Sequence, residues 1–203
     1  MNDTEKIEII KLWLGNGAIN IFGRPFAGKD YQGRQLINYF GGKMISSGEI
    51  LRGSKAEVTT RDGKLTPTKD FFDIVLPYLS RPELSGEPLF LSSFGRWHGE
   101  EYRVLEATEK SGHPLKAVIY LDISINESHT RWLAREINND RSIRHDDTEE
   151  VLNIRFNEFK EKTLPVIDFY RDLGMLIVID GRGPRDDITR DIVNALYDLA
   201  NHQ

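Results

Sequence analysis

Residues 18–29 read AINIFGRPFAGK, and this stretch decides the fold. Ala18 to Phe22 is a short apolar run that stops at Gly23, the pattern of a buried strand. Gly23 to Lys29 has the spacing G-x-x-x-x-G-K and opens a helix predicted over residues 29–39. Strand, glycine turn and helix in that order aim consecutive backbone N–H groups at one anion, at the positive end of a helix. Glycine permits the bend, and Lys29 brings a point cation to the outer phosphates. The next residue in such loops is usually a Ser or Thr that meets magnesium. Here it is Asp30, so the strict motif fails. An ordinary strand–turn–helix connection is the competing reading of this loop alone.

Working outward, residues 4–14 place Ile7, Ile10, Trp13 and Leu14 near helical spacing. Further short apolar strands are predicted at 88–94, 116–122 and 175–180. Helices are predicted over about 99–111, 126–139, 147–172 (broken near Pro165) and 186–201. Residues 46–80 read as a helical pair, with Thr66-Pro67 ahead of Lys69-Asp70 as a helix start. Alternating strands and helices predict an α/β fold with a parallel sheet covered on both faces. Such sheets bind ligands at the carboxyl ends of their strands.

Composition narrows the function. The 203 residues suit one domain. No run of about 18 apolar residues predicts a membrane span, and Glu5 and Glu8 argue against a leader peptide. There are no cysteines, which excludes disulfides, cysteine nucleophiles and thiolate zinc sites, and suits a reducing cytoplasm. The net charge of -5 gives no general attraction for nucleic acid. Phosphate binding must therefore come from gathered arginines and backbone N–H groups.

Residues 23–32, GRPFAGKDYQ, resemble the phosphate loop of the adenylate kinase family, G-x-P-G-x-G-K-G-T-Q. Pro25, Gly28, Lys29 and Gln32 fit; Phe26 and Asp30 replace glycines and Tyr31 the threonine. The resemblance continues in order along nearly the whole chain. Ile45 to Arg52 (ISSGEILR) resembles I-S-T-G-D-x-L-R, and Gly63 to Pro67 (GKLTP) resembles G-K-L-V-P. Phe94 to Glu100 (FGRWHGE) resembles F-P-R-T-x-x-Q. Arg131 and Arg135 match the pair of arginines on one helix face, Arg144 to Asp147 (RHDD) the lid-end R-x-D-D, and Arg155 the arginine of the following helix. Thr163 to Ile167 (TLPVI) resembles T-x-P-L-I, and Ile179-Asp180-Gly181 the last strand and its adenine-side loop.

The resemblance implies a three-layer α/β/α P-loop NTPase fold with a five-stranded parallel sheet, built as a single kinase domain. It implies a core of 15–45 and 81–203, an acceptor-binding insertion at 46–80 and a short lid at 136–145; the N-terminal helix at 1–14, read from its spacing, is extra and is expected to pack on the core. Only eight residues lie between Arg135 and Arg144, as in the short-lid class, which carries no zinc. The implied activity is transfer of the γ-phosphoryl group of ATP to a nucleoside monophosphate, with Mg²⁺ carried by ATP. Lys29, Arg96, Arg135, Arg144 and Arg155 are the implied catalytic cations. Gly23, Ala27, Gly28, Lys29, Asp30, Tyr31, Arg131 and Gly183 would hold ATP; Ser47, Arg52, Thr66, Arg96 and Glu100 the acceptor. A cytoplasmic monomer acting on free nucleotides, with no nucleic-acid or membrane partner, is expected.

Two departures leave alternatives open. The family's second strand ends in Asp-Gly, whose aspartate helps organise hydrated magnesium; here the pair is Ser92-Ser93. Asp30 either places a carboxylate near the metal instead or repels the phosphates. Glu100 stands where the family has the glutamine that reads adenine. An ionised glutamate only accepts hydrogen bonds, and two acceptors suit guanine, so GMP stands beside AMP as acceptor; a solvated residue at a helix start is the other reading. A nucleotide-binding protein with weak catalysis is the alternative function, and a kinase for another small molecule is a third reading.

Overall fold

The computed structural model describes residues 3–54, 63–134 and 148–202. Helix α1 (Asp3–Leu14) leads into β1 (Ala18–Gly23), α2 (Lys29–Phe40), β2 (Lys43–Ser46) and α3 (Ser47–Arg52). A short α4 (Thr68–Asp70) continues through a π turn (Phe71–Val75) into a 3-10 segment (Leu76–Ser80). Then come β3 (Leu89–Ser92), α5 (Glu100–Lys110), β4 (Leu115–Asp122), α6 (Ile125–Leu133) and α7 (Glu149–Glu158). A π turn (Phe159–Thr163), α8 (Leu164–Asp172), β5 (Leu176–Asp180) and α9 (Arg185–Asn201) complete the order. The predicted lid, with Arg135, Arg144 and His145, lies outside the described residues.

The five strands form one parallel sheet in the order β2-β3-β1-β4-β5. Strand side chains alternate between faces, and the core divides accordingly. Ala18 and Phe22 of β1 join Leu89, Leu91, Val118 and Tyr120 in a cluster closed by Val104, Val166 and Tyr170. Ile19, Ile21, Phe90, Ile119 and Leu121 enter the opposite cluster with Leu36, Ile188, Ile192 and Leu196. Ile10 and Leu14 bury α1 in that second cluster, so the N-terminal helix packs on the core beside α9. With helices on both sides, this is the three-layer arrangement.

Four of the strands fall where apolar runs predicted them. The fifth, β2, follows from no apolar run: Lys43 is exposed and only Ile45 is fully buried, because β2 is a sheet edge. The predicted break near Pro165 is corrected. The chain stays helical from Glu149 to Asp172 and widens into the π turn just before Pro165, which takes a first-turn position of α8. A proline there needs no N–H partner, and the wider turn absorbs its ring.

Candidate active site

The strand ends converge on the loop after β1. Gly23 is tightly enclosed; a Cβ there would lie 2.9 Å from Ala27 Cβ and 3.0 Å from the Leu121 carbonyl oxygen. Gly28 has φ 94° and caps α2, a conformation glycine adopts without strain. Phe26 holds φ 60° with a side chain in place. Such a backbone is costly for a bulky residue, and it is offset by packing of the ring against Trp132, Leu152 and Phe156. The loop is fastened elsewhere too. The Arg24 guanidinium donates to the Tyr120 hydroxyl (2.8 Å), Asp122 (3.1 Å) and the Ile123 carbonyl (2.7 Å). Ser128 Oγ donates to the Pro25 carbonyl. Burial and the adjoining Asp122 push the Tyr120 phenol up to about 12, so it stays a neutral donor. Lys29 Nζ lies back on the carbonyls of Gly23 (2.9 Å) and Arg24 (3.1 Å).

This loop walls one side of a cavity of about 1080 Å³. Ala27, Gly28, Lys29, Asp30, Tyr31, Arg131 and Gly183 line it, and so do Ser47, Arg52, Thr66, Arg96, Glu100 and Arg155. Gly23 lies behind the loop and contributes its carbonyl to Lys29. Arg131 spans from Glu127 (2.7 Å) to the Gly181 carbonyl (2.5 Å), tying α6 to the loop after β5. Arg34 and Arg185 also line the cavity and were not singled out from the sequence. Arg185 stacks over the Tyr31 ring at 4.8 Å.

Arg96 and Arg155 carry the electrostatic burden of the cavity. Burial, and after it the charge of Arg155, lower the Arg96 pKa from 12.5 to about 10, against the pull of Glu100 and Glu158. It remains charged at neutral pH. Its Nε is buried without a hydrogen-bond partner among the described residues. A guanidinium held beside another cation with an orphaned donor is stabilised by an anion that forks onto it.

The position of Arg96 depends on a residue not singled out from the sequence. Asn20, in the middle of β1 and fully buried, donates to the Phe94 carbonyl (2.8 Å) and accepts from the Phe94 N–H (3.1 Å). This suture fixes the loop leaving β3. A buried Asn inside an apolar run was the available signal, since a buried amide requires partners. Trp97 continues the loop. Its indole N–H donates to the Thr66 carbonyl (3.0 Å), and Lys162 covers one ring face at 3.8 Å.

Glu100 is neither a solvated helix-start residue nor a source of two free acceptors. It is 2% exposed, and Oε2 accepts from the backbone N–H groups of Arg96 (2.8 Å) and Trp97 (3.1 Å). One oxygen, Oε1, remains without a hydrogen bond of normal geometry. Burial raises the Glu100 pKa, partly opposed by those N–H groups, the Thr68 hydroxyl and Arg96. The two-acceptor argument for guanine therefore fails, because half the carboxylate is engaged by its own loop. Thr66 Oγ1 is likewise buried and unpartnered. Ser47 Oγ donates to the carbonyls of Ser92 (3.3 Å) and Ser93 (2.8 Å), joining α3 to the end of β3.

Asp30 sits in the first turn of α2, and its Oδ1 accepts from Ser92 Oγ at 2.9 Å. Carboxylate and hydroxyl beside Lys29 form an oxygen-only set. That set fits Mg²⁺, which keeps several waters and takes one or two carboxylates together with substrate phosphates. Among the described residues no group of three or more His, Cys, Asp or Glu could hold a metal.

No family model matches the chain. Curated relatives do. The adenylate kinase of Prochlorococcus marinus is 31% identical over 183 residues, covering 86% of this chain and 94% of that protein. That of Kocuria rhizophila is 31% identical over 185 residues, covering 87% and 96%. That of Phocaeicola vulgatus is 30% identical over 190 residues, covering 89% and 98%.

Proposed function

This chain belongs to the adenylate kinase family, and from that premise we propose that it is a phosphotransferase that moves the γ-phosphoryl group of ATP to AMP, giving two ADP. The observation that carries the reading is the half-buried Arg96 beside Arg155, facing across one cavity the phosphate loop that carries Lys29.

In this reading ATP lies along Gly23, Ala27, Gly28, Lys29, Asp30 and Tyr31, with its adenine toward Arg131 and Gly183. Lys29 exchanges the loop carbonyls for β- and γ-phosphate oxygens. The acceptor phosphate is gripped by Arg52 and Arg96, and its base lies among Ser47, Thr66 and Glu100. Glu100 Oε2 holds the Arg96 and Trp97 N–H groups, and so the loop that carries Arg96, at the edge of that base. An oxygen of the acceptor phosphate attacks the γ-phosphorus in line and ADP leaves. Little covalent help is needed; positioning and positive charge from Lys29, Arg96 and Arg155 lower the barrier. Asp30 and Ser92 would face an Mg²⁺ ion arriving with ATP, which would supply further positive charge to the transferring group. Arg135 and Arg144 would add cations from the segment outside the described residues, with 136–145 as the lid over ATP and 46–80 as the acceptor-binding insertion. No helix among the described residues is long and apolar enough to cross a membrane. With the activity we propose a cytoplasmic monomer working on free nucleotides, as the family resemblance implies.

The test is a coupled assay of ADP formation with Mg-ATP and AMP, GMP, CMP or UMP in turn. Turnover with AMP is expected, well above the others. No turnover with any of them, while ATP still binds, would overturn the kinase reading in favour of a nucleotide-binding protein.

A further inference from the structure

We infer that Asp30 is the residue that positions the hydrated Mg²⁺ of bound ATP, and that Ser92 holds its carboxylate in register. The inference rests on the nucleotide reading of the phosphate loop. Asp30 directly follows Lys29, the position at which phosphate loops commonly present a metal-facing hydroxyl. It lines the cavity from the first turn of α2. Ser92 is 5% exposed at the last residue of β3, paired in register with Ile21 and Ser46 in the sheet interior. It is a rigid donor, and its hydroxyl fixes Oδ1 at 2.9 Å. Oδ2 makes no hydrogen bond to a described residue, so one carboxylate oxygen is oriented and the other is available to a metal-bound water.

Charge makes the assignment sharper. A carboxylate among Lys29, Arg52, Arg96 and Arg155 faces a cavity built for anions. Against a bare triphosphate it repels. A hydrated divalent cation between the two reverses the sign. Asp30 should therefore make the nucleotide site depend on metal more strongly than a neutral residue would.

The test is calorimetric binding of a non-hydrolysable ATP analogue with and without Mg²⁺, a readout independent of turnover. Asp30→Asn is nearly isosteric and keeps an acceptor for Ser92; thermal melting checks that it folds. The exchanged pair Asp30→Ser with Ser92→Asp moves the carboxylate across its own hydrogen bond. Expected is a tightening by Mg²⁺ of about ten- to a hundredfold in the wild type, the scale of a charged hydrogen bond. Asp30→Asn should lose most of that gain, with unchanged or tighter metal-free binding, and the exchanged pair should recover it. If Asp30→Asn gains as much from Mg²⁺ as the wild type, or binds the metal complex more tightly, Asp30 merely repels phosphate and the inference falls alone. If the wild type binds no analogue in either condition, the phosphate-loop reading falls and takes the inference with it.

Discussion

Replacing Arg96 by Met should stabilise the ligand-free protein while disabling it. Burial and Arg155 hold the Arg96 pKa at about 10 against an ordinary 12.5. At about 1.4 kcal/mol per pH unit, the fold carries this charge at a cost of about 3 kcal/mol. Methionine keeps the aliphatic stem and removes both the charge and the orphaned Nε. Some of the gain is offset by the lost attraction of Arg96 for Glu100 and for Glu158, which keeps Lys162 at 2.7 Å, so a net increase of about 1–2 kcal/mol is expected. For a chain of this size that raises the melting temperature by roughly 2–8 °C. The same change removes the forked, charge-assisted grip on the acceptor phosphate. At about 1.5–3 kcal/mol for each such hydrogen bond, kcat/KM for AMP should fall by about a hundredfold or more. Melting curves of wild type and Arg96→Met, with and without AMP, measure both effects. Wild type should gain stability from AMP and the variant should not. A ligand-free variant clearly less stable than wild type would refute the reasoning, because it would show that the guanidinium serves the fold and not an absent anion.

Other outcomes follow from particular contacts. Asn20→Ala leaves the buried Phe94 carbonyl and N–H unpaired; urea unfolding should show a loss of about 2–4 kcal/mol, with AMP binding weakened through the displaced Arg96 loop. Glu100→Gln keeps an oxygen for the Arg96 and Trp97 N–H groups and removes a charge that burial disfavours. Because the folded pKa of Glu100 is raised, the folded chain takes up its proton first as pH falls. Wild type should therefore gain stability relative to the variant on acidification through that range, read from unfolding midpoints at neutral and acidic pH. Asp180 carries the opposite sign. Hydrogen bonds from Arg182 hold its pKa at about 2. Its small contribution is present above the ordinary carboxylate range and lost as pH falls through about 2; Asp180→Asn should flatten that part of the acid stability profile.

Strands such as β1 and β4 were legible because a strand buried on both faces must be apolar nearly throughout, and runs like Val118 to Leu121 need no partner to be recognised. Edge strand β2 was not, since four residues with one buried side chain leave too little signal. The proline in α8 was misread as a break because a one-dimensional pattern cannot show that the preceding turn widens to receive it.

The cavity shows the same division. The order of glycines, Lys29 and arginines along the chain was enough to place it in the adenylate kinase family and its sheet in the parallel class. Residue type and spacing along the chain are what such matching reads. What each polar group engages depended on neighbours distant in sequence. Asn20 meets Phe94, Ser47 meets Ser92 and Ser93, and Asp30 meets Ser92. Even Glu100, which bonds the nearby Arg96 and Trp97 N–H groups, owes its burial to the packed loop after β3. Hydrogen-bond partnership and desolvation are properties of positions in space, and both change what a carboxylate or guanidinium can do. The sequence alone therefore determined that cations and a phosphate loop are present in the right order, and only the tertiary structure decided which of their atoms remain available to a ligand.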